Sequence, residues 1–594
     1  MSDAIYPLGV VDYIVFALFL VISTLTGLYH GCTKGGQKTI NRFLLADRSV
    51  FSIPVAMTLL ASFVSPISLL GTPAETFVHG GLYFNAIFGY ILLYSSIAII
   101  FVPVFYDLQI TSAYEYLQMR FDVVLRILGA AVFILQTTMY MAIVTYSPAL
   151  AIEIVTGFAL WKTILITASV VTLYTTLGGM KGVIWTDVFM FCVMFGTTLL
   201  VIIVGCIQVG GILPVWEINK QDGRLNIFYF PFDVTERTTF PSLVFGGWLT
   251  FMPLWAVSQT SVQRMLSAKT LTQAKISVWL NLPFVSLIKF LQCFQGLMMY
   301  AYYFASKEQS LEPQAQTTAT MTHRDTLLTT DAIAFTADSS SPIVPKYTKP
   351  DQILIYYISG QFGNIPGFQG LFIACIFAGT LSTVSSGLNA LVAVTLIDII
   401  RPFRTWIKSC RWISTCHQQG HNESTDLIII KILTLVYGAV TTGLAFLATN
   451  YGTLVSMIYR LFGSVGGPLV GVFITGMFWR RANARGALIG LLSGMILGMW
   501  LIIGTRVNAD NLDDALPLYK LSFAWYATFT TITTVVVTCL VSEISRCLSR
   551  AKDHREVNDM LLATFLRKGG KQLTIPTCDE NAKIQQPEIE EASL

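Results

Sequence analysis

The chain has 594 residues, of which 54% are hydrophobic and only 12% charged, with a mean hydropathy of +0.63. A soluble protein carries about a quarter charged residues, so a soluble globular domain is excluded. The formal net charge of +4 is small and spread over loops, which argues against nucleic-acid binding. Apolar runs of about 20 residues recur throughout, and the chain reads as an all-α polytopic protein of the lipid bilayer.

Taken in order, the runs predict 13 spans, at 10–31, 51–72, 82–105, 124–151, 160–179, 184–210, 240–261, 276–305, 353–398, 426–448, 452–478, 486–506 and 521–545. The first follows Asp3 without any Lys or Arg, so a retained span is expected rather than a cleaved signal peptide. The ninth is long enough to include an extracellular lead-in. Lys34, Lys38, Arg42, Arg48, Arg120, Arg126, Lys181, Arg264, Lys269, Arg401, Arg404, Lys408, Arg411, Arg480, Arg481 and Arg485 all follow odd-numbered spans. Positive loops stay in the cytoplasm, which puts the N-terminus outside and the C-terminus inside at the plasma membrane.

The organisation expected is an extracellular N-terminus, first span and cytoplasmic loop (1–50), two membrane units (51–211 and 240–478) with an extracellular loop at 306–350, two further spans (486–545), and a cytoplasmic tail (546–594). The 306–350 loop is Thr/Ser-rich, and the tail is acidic, polar and expected to be disordered. The sequon at Asn422 falls on the cytoplasmic side and is expected to stay unglycosylated. The ten cysteines form no metal-type pair and no disulfide framework. No G-x-S-x-G, H-E-x-x-H or P-loop pattern occurs, so no catalytic residues and no enzyme activity are expected.

Two spans carry interruptions. The second has Ser65-Pro66 near its middle, and the seventh has Gly246-Gly247 and Pro253. Corresponding broken helices in two halves point to an inverted-repeat transporter with its site at the breaks, although Gly and Pro are also common in membrane helices. The ninth span contains "GTLSTVSSGLN", residues 379–389, a heavy polar load for hydrocarbon. On a helix Gly379, Ser382 and Thr383 share one face. Hydroxyls there and carbonyls freed at the break in span 2 suit a hard monovalent cation such as sodium. Helix packing explains the same spacing equally well.

Seven segments, "LLASFVSPISLLGTPAE", "PVFYDLQITSAYEYLQMRF", "YSPALAIEIVTGF", "LGGMKGVIWTDVF", "VSQTSVQRML", "GTLSTVSSGLNALVAVTLIDIIRP" and "FGSVGGPLVG", resemble the sodium–solute symporter family. The likeness runs over roughly 10–510 and leaves the tail outside. It is strongest to the sodium-coupled monocarboxylate and multivitamin branch, with iodide transporters nearby, and "GTPAE" looks more like the monocarboxylate version of that turn. The resemblance implies a five-plus-five inverted-repeat (LeuT-like) core with spans 2–6 and 7–11 as the repeats. It also implies sodium ligands: the carbonyls of Ala61, Val64 and Gly379 and the hydroxyls of Ser382 and Thr383, with sodium as the only metal. Ser385, Ser386 and Asn389 read as packing and helix–helix hydrogen bonds.

Asp187, an acid at the start of span 6, is a functional candidate because an unpaired carboxylate is costly in lipid. The resemblance links it to a second ion site or an inner gate; a salt bridge to Lys181 is the plainer alternative. Arg460, well inside span 11, suits a substrate carboxylate or an internal partner. Phe63, Ser68, Gln136, Tyr140, Trp255 and Ser258 are candidates for the substrate pathway; Lys431 reads as snorkelling from the cytoplasmic end of span 10 and His79 as plain surface at an outer loop. Pro66, Ser258, Met190 and Arg460 depart from the branch pattern, which bears on the substrate more than on sodium. The function implied is sodium-driven import of a small organic anion, a short monocarboxylate first. Biotin, pantothenate, iodide or another small solute stand as alternatives, as does a non-concentrating sensor or sodium-gated channel in the same fold. No protein partner is indicated.

Overall fold

The computed structural model describes residues 8–32, 50–311, 347–403, 423–448, 452–508, 516–548 and 557–566. Asn422, most of the 306–350 loop and most of the tail lie outside them. Helices make up nearly all of the described chain, and it contains no strand, only an isolated bridge between Val50 and Ala268.

The helices run as α1 (Val10–Cys32), α2 (Ser52–Phe63), α3 (Pro66–His79), α4 (Gly81–Asp107), α5 (Glu115–Arg120), α6 (Val123–Thr156), α7 (Leu160–Val209) and α8 (Ile212–Gln221). After them come α9 (Ser242–Trp255), α10 (Gln259–Met265), α11 (Leu271–Leu311), α12 (Ile353–Phe362), α13 (Phe368–Phe403), α14 (Glu423–Ala448), α15 (Leu454–Phe478), α16 (Ala484–Val507) and α17 (Tyr526–Leu548). Among the described residues nine helices are long and apolar enough to cross a bilayer, and the bent pair α2–α3 makes a tenth. Three shorter apolar stretches, Val10–Thr26, Leu160–Thr172 and Ser242–Trp255, fall below that length, so length and apolarity alone do not reach 13 spans.

Two boundaries differ from the sequence reading. Spans 5 and 6 appear as the single 50-residue helix α7, because Gly178-Gly179 lower helix propensity without forbidding the helix and no Pro interrupts it. Span 9 divides at Gly367, which takes φ +85° between α12 and α13. The α13 helix is the axis of the protein: 94% of its apolar stretch is buried, against 28% for α14. It packs against α1, α6 and α7, and Asp12 of α1 pins its start by accepting the Gly370 amide at 3.0 Å.

Pairs of charges hold both ends of the bundle. At one end Arg237 reaches Glu75 with two bonds of 3.0 Å. At the other Arg126 meets Asp398 at 2.6 Å, and Arg120 donates to Gly476 O and Trp479 O at 2.9 and 2.8 Å, a cation at the C-terminus of α15.

Candidate functional site

Pro66 explains where the second span breaks. It has no amide proton, so the Ser62 carbonyl loses the partner that a continuous helix would supply. The Ser68 amide turns to Ser65 O at 2.9 Å instead of reaching Val64 O. Val64 leaves the helix at φ −76°, ψ 78°, and Pro66 restarts it at the first position of α3, where proline is tolerated. The axis turns by 61°. Carbonyls freed within a span are costly unless something polar meets them.

The polar face of α13 meets them. Thr383 Oγ1 donates to Ser62 O at 3.0 Å. One turn earlier Gly379 lies against the break, where a β-carbon would stand 3.1 Å from Pro66 N and 3.2 Å from Val64 O. Only glycine lets the helix come this close. Ala61 is buried in the last turn of α2. Ser382, beside Thr383, gives its hydroxyl proton to Asp187 Oδ1 at 2.6 Å.

Asp187 has a partner that the sequence reading placed elsewhere. Lys181, the plainer alternative in the sequence reading, has a side chain outside the described ones; the ion pair is with Arg264 of α10, at 3.1 Å. Arg264 was assigned to a cytoplasmic loop, yet it is 1% exposed, and it binds Thr58 O at 2.9 Å and the hydroxyls of Ser62 and Ser386. Thr58 Oγ1 completes the cluster with a 2.5 Å bond to Asp187. The pair thus joins α2, α7, α10 and α13 directly beside the broken turn. Ser386 makes the interhelical bonds expected of it, reaching Ser62 Oγ at 3.2 Å.

The seventh span breaks later than Gly246-Gly247 suggests. Helix α9 ends at Trp255, and Ala256–Ser258 form the gap before α10. Pro253 withholds its amide from the turn before, and Ser261 Oγ caps the loosened end by donating to Leu254 O at 2.7 Å. Gly246 serves packing: a β-carbon there would collide with the Ala524 carbonyl.

Between the two breaks lies a cavity enclosing about 640 Å³ of empty space, part of it open to solvent. Phe63, Ser68, Tyr140 and Trp255 line it, as expected, and Phe63 and Trp255 pack with ring centroids 4.2 Å apart. The larger cavity meets the broken turn at Phe63, Val64 and Ser65, and a smaller space of about 300 Å³ shares Phe63 and Tyr140 and reaches Ser258, Ser62 and Thr383. Gln136 lines neither space and packs on Gly466. Arg460 lines neither, although Ile458, Tyr459 and Phe462 line the larger one. A residue one step along a helix from a cavity-facing neighbour is turned by about 100°.

The cavity contains a cation that the sequence reading passed over. Lys289 of α11 is 6% exposed, donates to Thr72 Oγ1 at 2.9 Å and stands 5.1 Å from the centre of the Tyr83 ring. It was visible as a lone Lys within the apolar run "VSLIKFLQCFQ".

A family model described as the Sodium:solute symporter family matches residues 43–494. The Sodium-dependent multivitamin transporter of Oryctolagus cuniculus is 37% identical over 569 residues, covering 90% of this chain and 82% of that protein. The Sodium-coupled monocarboxylate transporter 1 of Homo sapiens is 39% identical over 512 residues, covering 86% and 76%. A solved structure of a Na+-coupled sialic acid symporter, substrate-bound and outward-open, matches with a TM-score of 0.71 over 90% of this chain and 98% of that one. At 24% identity this likeness concerns the fold alone.

Proposed function

The chain belongs to the sodium:solute symporter family, and from that premise we propose that it imports a small organic anion, a short monocarboxylate first, on the inward sodium gradient. It is a multi-pass membrane transporter and not an enzyme, as its relatives are transporters. The inverted repeats correspond to 51–211 and 240–478, around the breaks at Val64–Ser65 and Ala256–Ser258. The plasma membrane is the site of action, with the N-terminus outside and the C-terminus inside.

In this reading sodium replaces its water with the carbonyls of Ala61, Val64 and Gly379 and the hydroxyls of Ser382 and Thr383. The observation that carries it is the meeting of Gly379 and Thr383 with the broken turn at Ser62–Val64, where Ser62 and Thr383 line the smaller space and Val64 the larger cavity. Neutral oxygens suit a monovalent ion in a low-dielectric site, where a full counter-charge would hold it too firmly for release. Asp187 acts at one remove: its pair with Arg264 ties α2 and α13 together, so a change at the sodium site is felt by the helices that close the inner end. Each charge moved inward through 100 mV contributes about 2.3 kcal/mol to accumulation.

The second reading is a carboxylate-bearing vitamin such as biotin or pantothenate, favoured by the 37% identity to a multivitamin transporter. Uptake of labelled butyrate, nicotinate, biotin and pantothenate into cells expressing the chain, in sodium and in choline medium, tests both. Sodium-dependent uptake of one of them supports the proposal and names the class. Uptake indifferent to sodium for all four would sink it.

A further inference from the structure

Lys289 stands near the middle of α11, in the stretch Leu271–Phe304 that crosses the bilayer. An ammonium carries three donors and no acceptor. One donates to Thr72 Oγ1 at 2.9 Å, and the Tyr83 ring lies 5.1 Å away with its electron-rich face available to the charge. Among the described residues none of its contacts is with a carboxylate, yet the side chain is 6% exposed and lines the larger cavity. A buried cation without a counter-charge is costly in lipid and marks a functional site. The rest of the lining is largely aromatic and aliphatic, with the hydroxyl-bearing Ser65, Ser68 and Thr72 among it.

We infer that the Lys289 ammonium receives the carboxylate of the transported anion, with Thr72 and Tyr83 holding it in place. This rests on the reading of the chain as an organic-anion symporter and says which group selects the substrate. The carboxylate takes the ammonium's remaining protons in charge-assisted hydrogen bonds. The apolar part of the anion then lies toward Phe63 and Trp255, on the side of the broken turn. The same broken helix borders both spaces, so cation and anion approach it together: Val64 and Ser65 line the cavity that holds Lys289, and Ser62 and Thr383 line the smaller one. Arg460 has no such position, because it lines neither cavity.

The test is labelled butyrate uptake at saturating sodium by cells expressing the full chain, with biotin as the second probe, and with butyramide and biotinamide as neutral competitors. Lys289→Gln is expected to raise the KM for the anion at least about tenfold. It should cut the preference for the acid over its amide by a similar factor while leaving half-saturation by sodium unchanged. Lys289→Arg should recover part of that preference, and Thr72→Val, which removes only the supporting oxygen, should raise KM about threefold. A lysine that merely braces α11 against α3 would lower the amount of transporter at the surface without altering the acid-to-amide preference. If Lys289→Gln fails to reach the surface, Lys289→Arg and Thr72→Val read the same ratio. An unchanged KM and preference in variants that still transport would overturn the inference and leave sodium symport standing. Sodium-independent behaviour of the unmodified chain toward both anions would overturn the proposed function, and this inference with it.

Discussion

The guanidinium of Arg264 lies 3.1 Å from the carboxylate of Asp187, with both side chains only 1% exposed. Such a pair costs much to desolvate and more to break, because a removed partner leaves a bare charge in a dry interior. Its four helices include the two that meet at the proposed sodium site: α2, which ends at the break, and α13, which carries Thr383.

The first prediction concerns that pair. Asp187→Asn and Arg264→Met should each destabilise the protein by about 3–5 kcal/mol. The double variant Asp187→Leu with Arg264→Met should be less destabilised than either single one, since no lone charge remains. Thermal unfolding midpoints of purified protein check this. A double variant as unstable as the two single losses combined would show that the residues act independently.

The second concerns sodium. Thr383→Val keeps the shape of the side chain and removes the oxygen that faces Ser62 O. The half-saturating sodium concentration should rise about tenfold, a loss of about 1.4 kcal/mol. Anion KM at saturating sodium should stay within about twofold. The check is uptake measured against sodium concentration, and an unchanged sodium curve would exclude Thr383 as a ligand.

Gly379→Ala tests the close approach of α13 to the break. Its β-carbon would sit 3.1 Å from Pro66 N, against backbone rather than the end of a flexible side chain. The helix must shift by a few tenths of an ångström, and sodium affinity should fall with only a modest loss of stability, about 1 kcal/mol. Sodium titration and thermal unfolding of the same preparation separate the two effects.

A pH dependence is expected outside the membrane, at Asp351, which precedes α12 and accepts the Leu454 amide at 3.0 Å. Burial pushes its carboxyl up to about 7, helped by the charge of Glu75 and opposed by the Leu454 amide, Lys349 and Arg237. A raised carboxyl favours the protonated folded state. Its contribution to stability is therefore full below the ordinary carboxylate range, about pH 3.8, and is lost as pH rises through about 7. Unfolding midpoints between pH 5.5 and 8 should fall more steeply for the natural chain than for Asp351→Asn. Parallel curves would remove Asp351 from the account.

Much of this site is legible in the sequence, and the unread parts share a cause. Pro66 and the hydroxyls of 379–389 announce themselves because proline and clustered oxygens are conspicuous in an apolar run. Arg264 did not, because its partner lies 77 residues away and an arginine near a span end looks like an anchor. Gly246-Gly247 looks like a hinge because the carbonyl that Gly246 makes room for, that of Ala524, belongs to a distant segment. Arg460 drew attention as an odd charge, but one step of helix rotation separates it from cavity-lining Tyr459. Lys289 is the exception among the unread parts: an isolated cation in the middle of a span is a sufficient signal without any distant partner.

Coupling itself is tested most directly in proteoliposomes containing the purified chain, loaded with potassium and diluted into sodium medium with labelled butyrate, and with biotin in parallel. Under sodium symport one anion accumulates above its outside concentration, and the excess drains away when the sodium gradient is collapsed. Thr383→Val should need more sodium to reach the same level. Equilibration to the outside concentration and no further, with or without sodium, would contradict symport and leave the fold serving as a channel or a sensor.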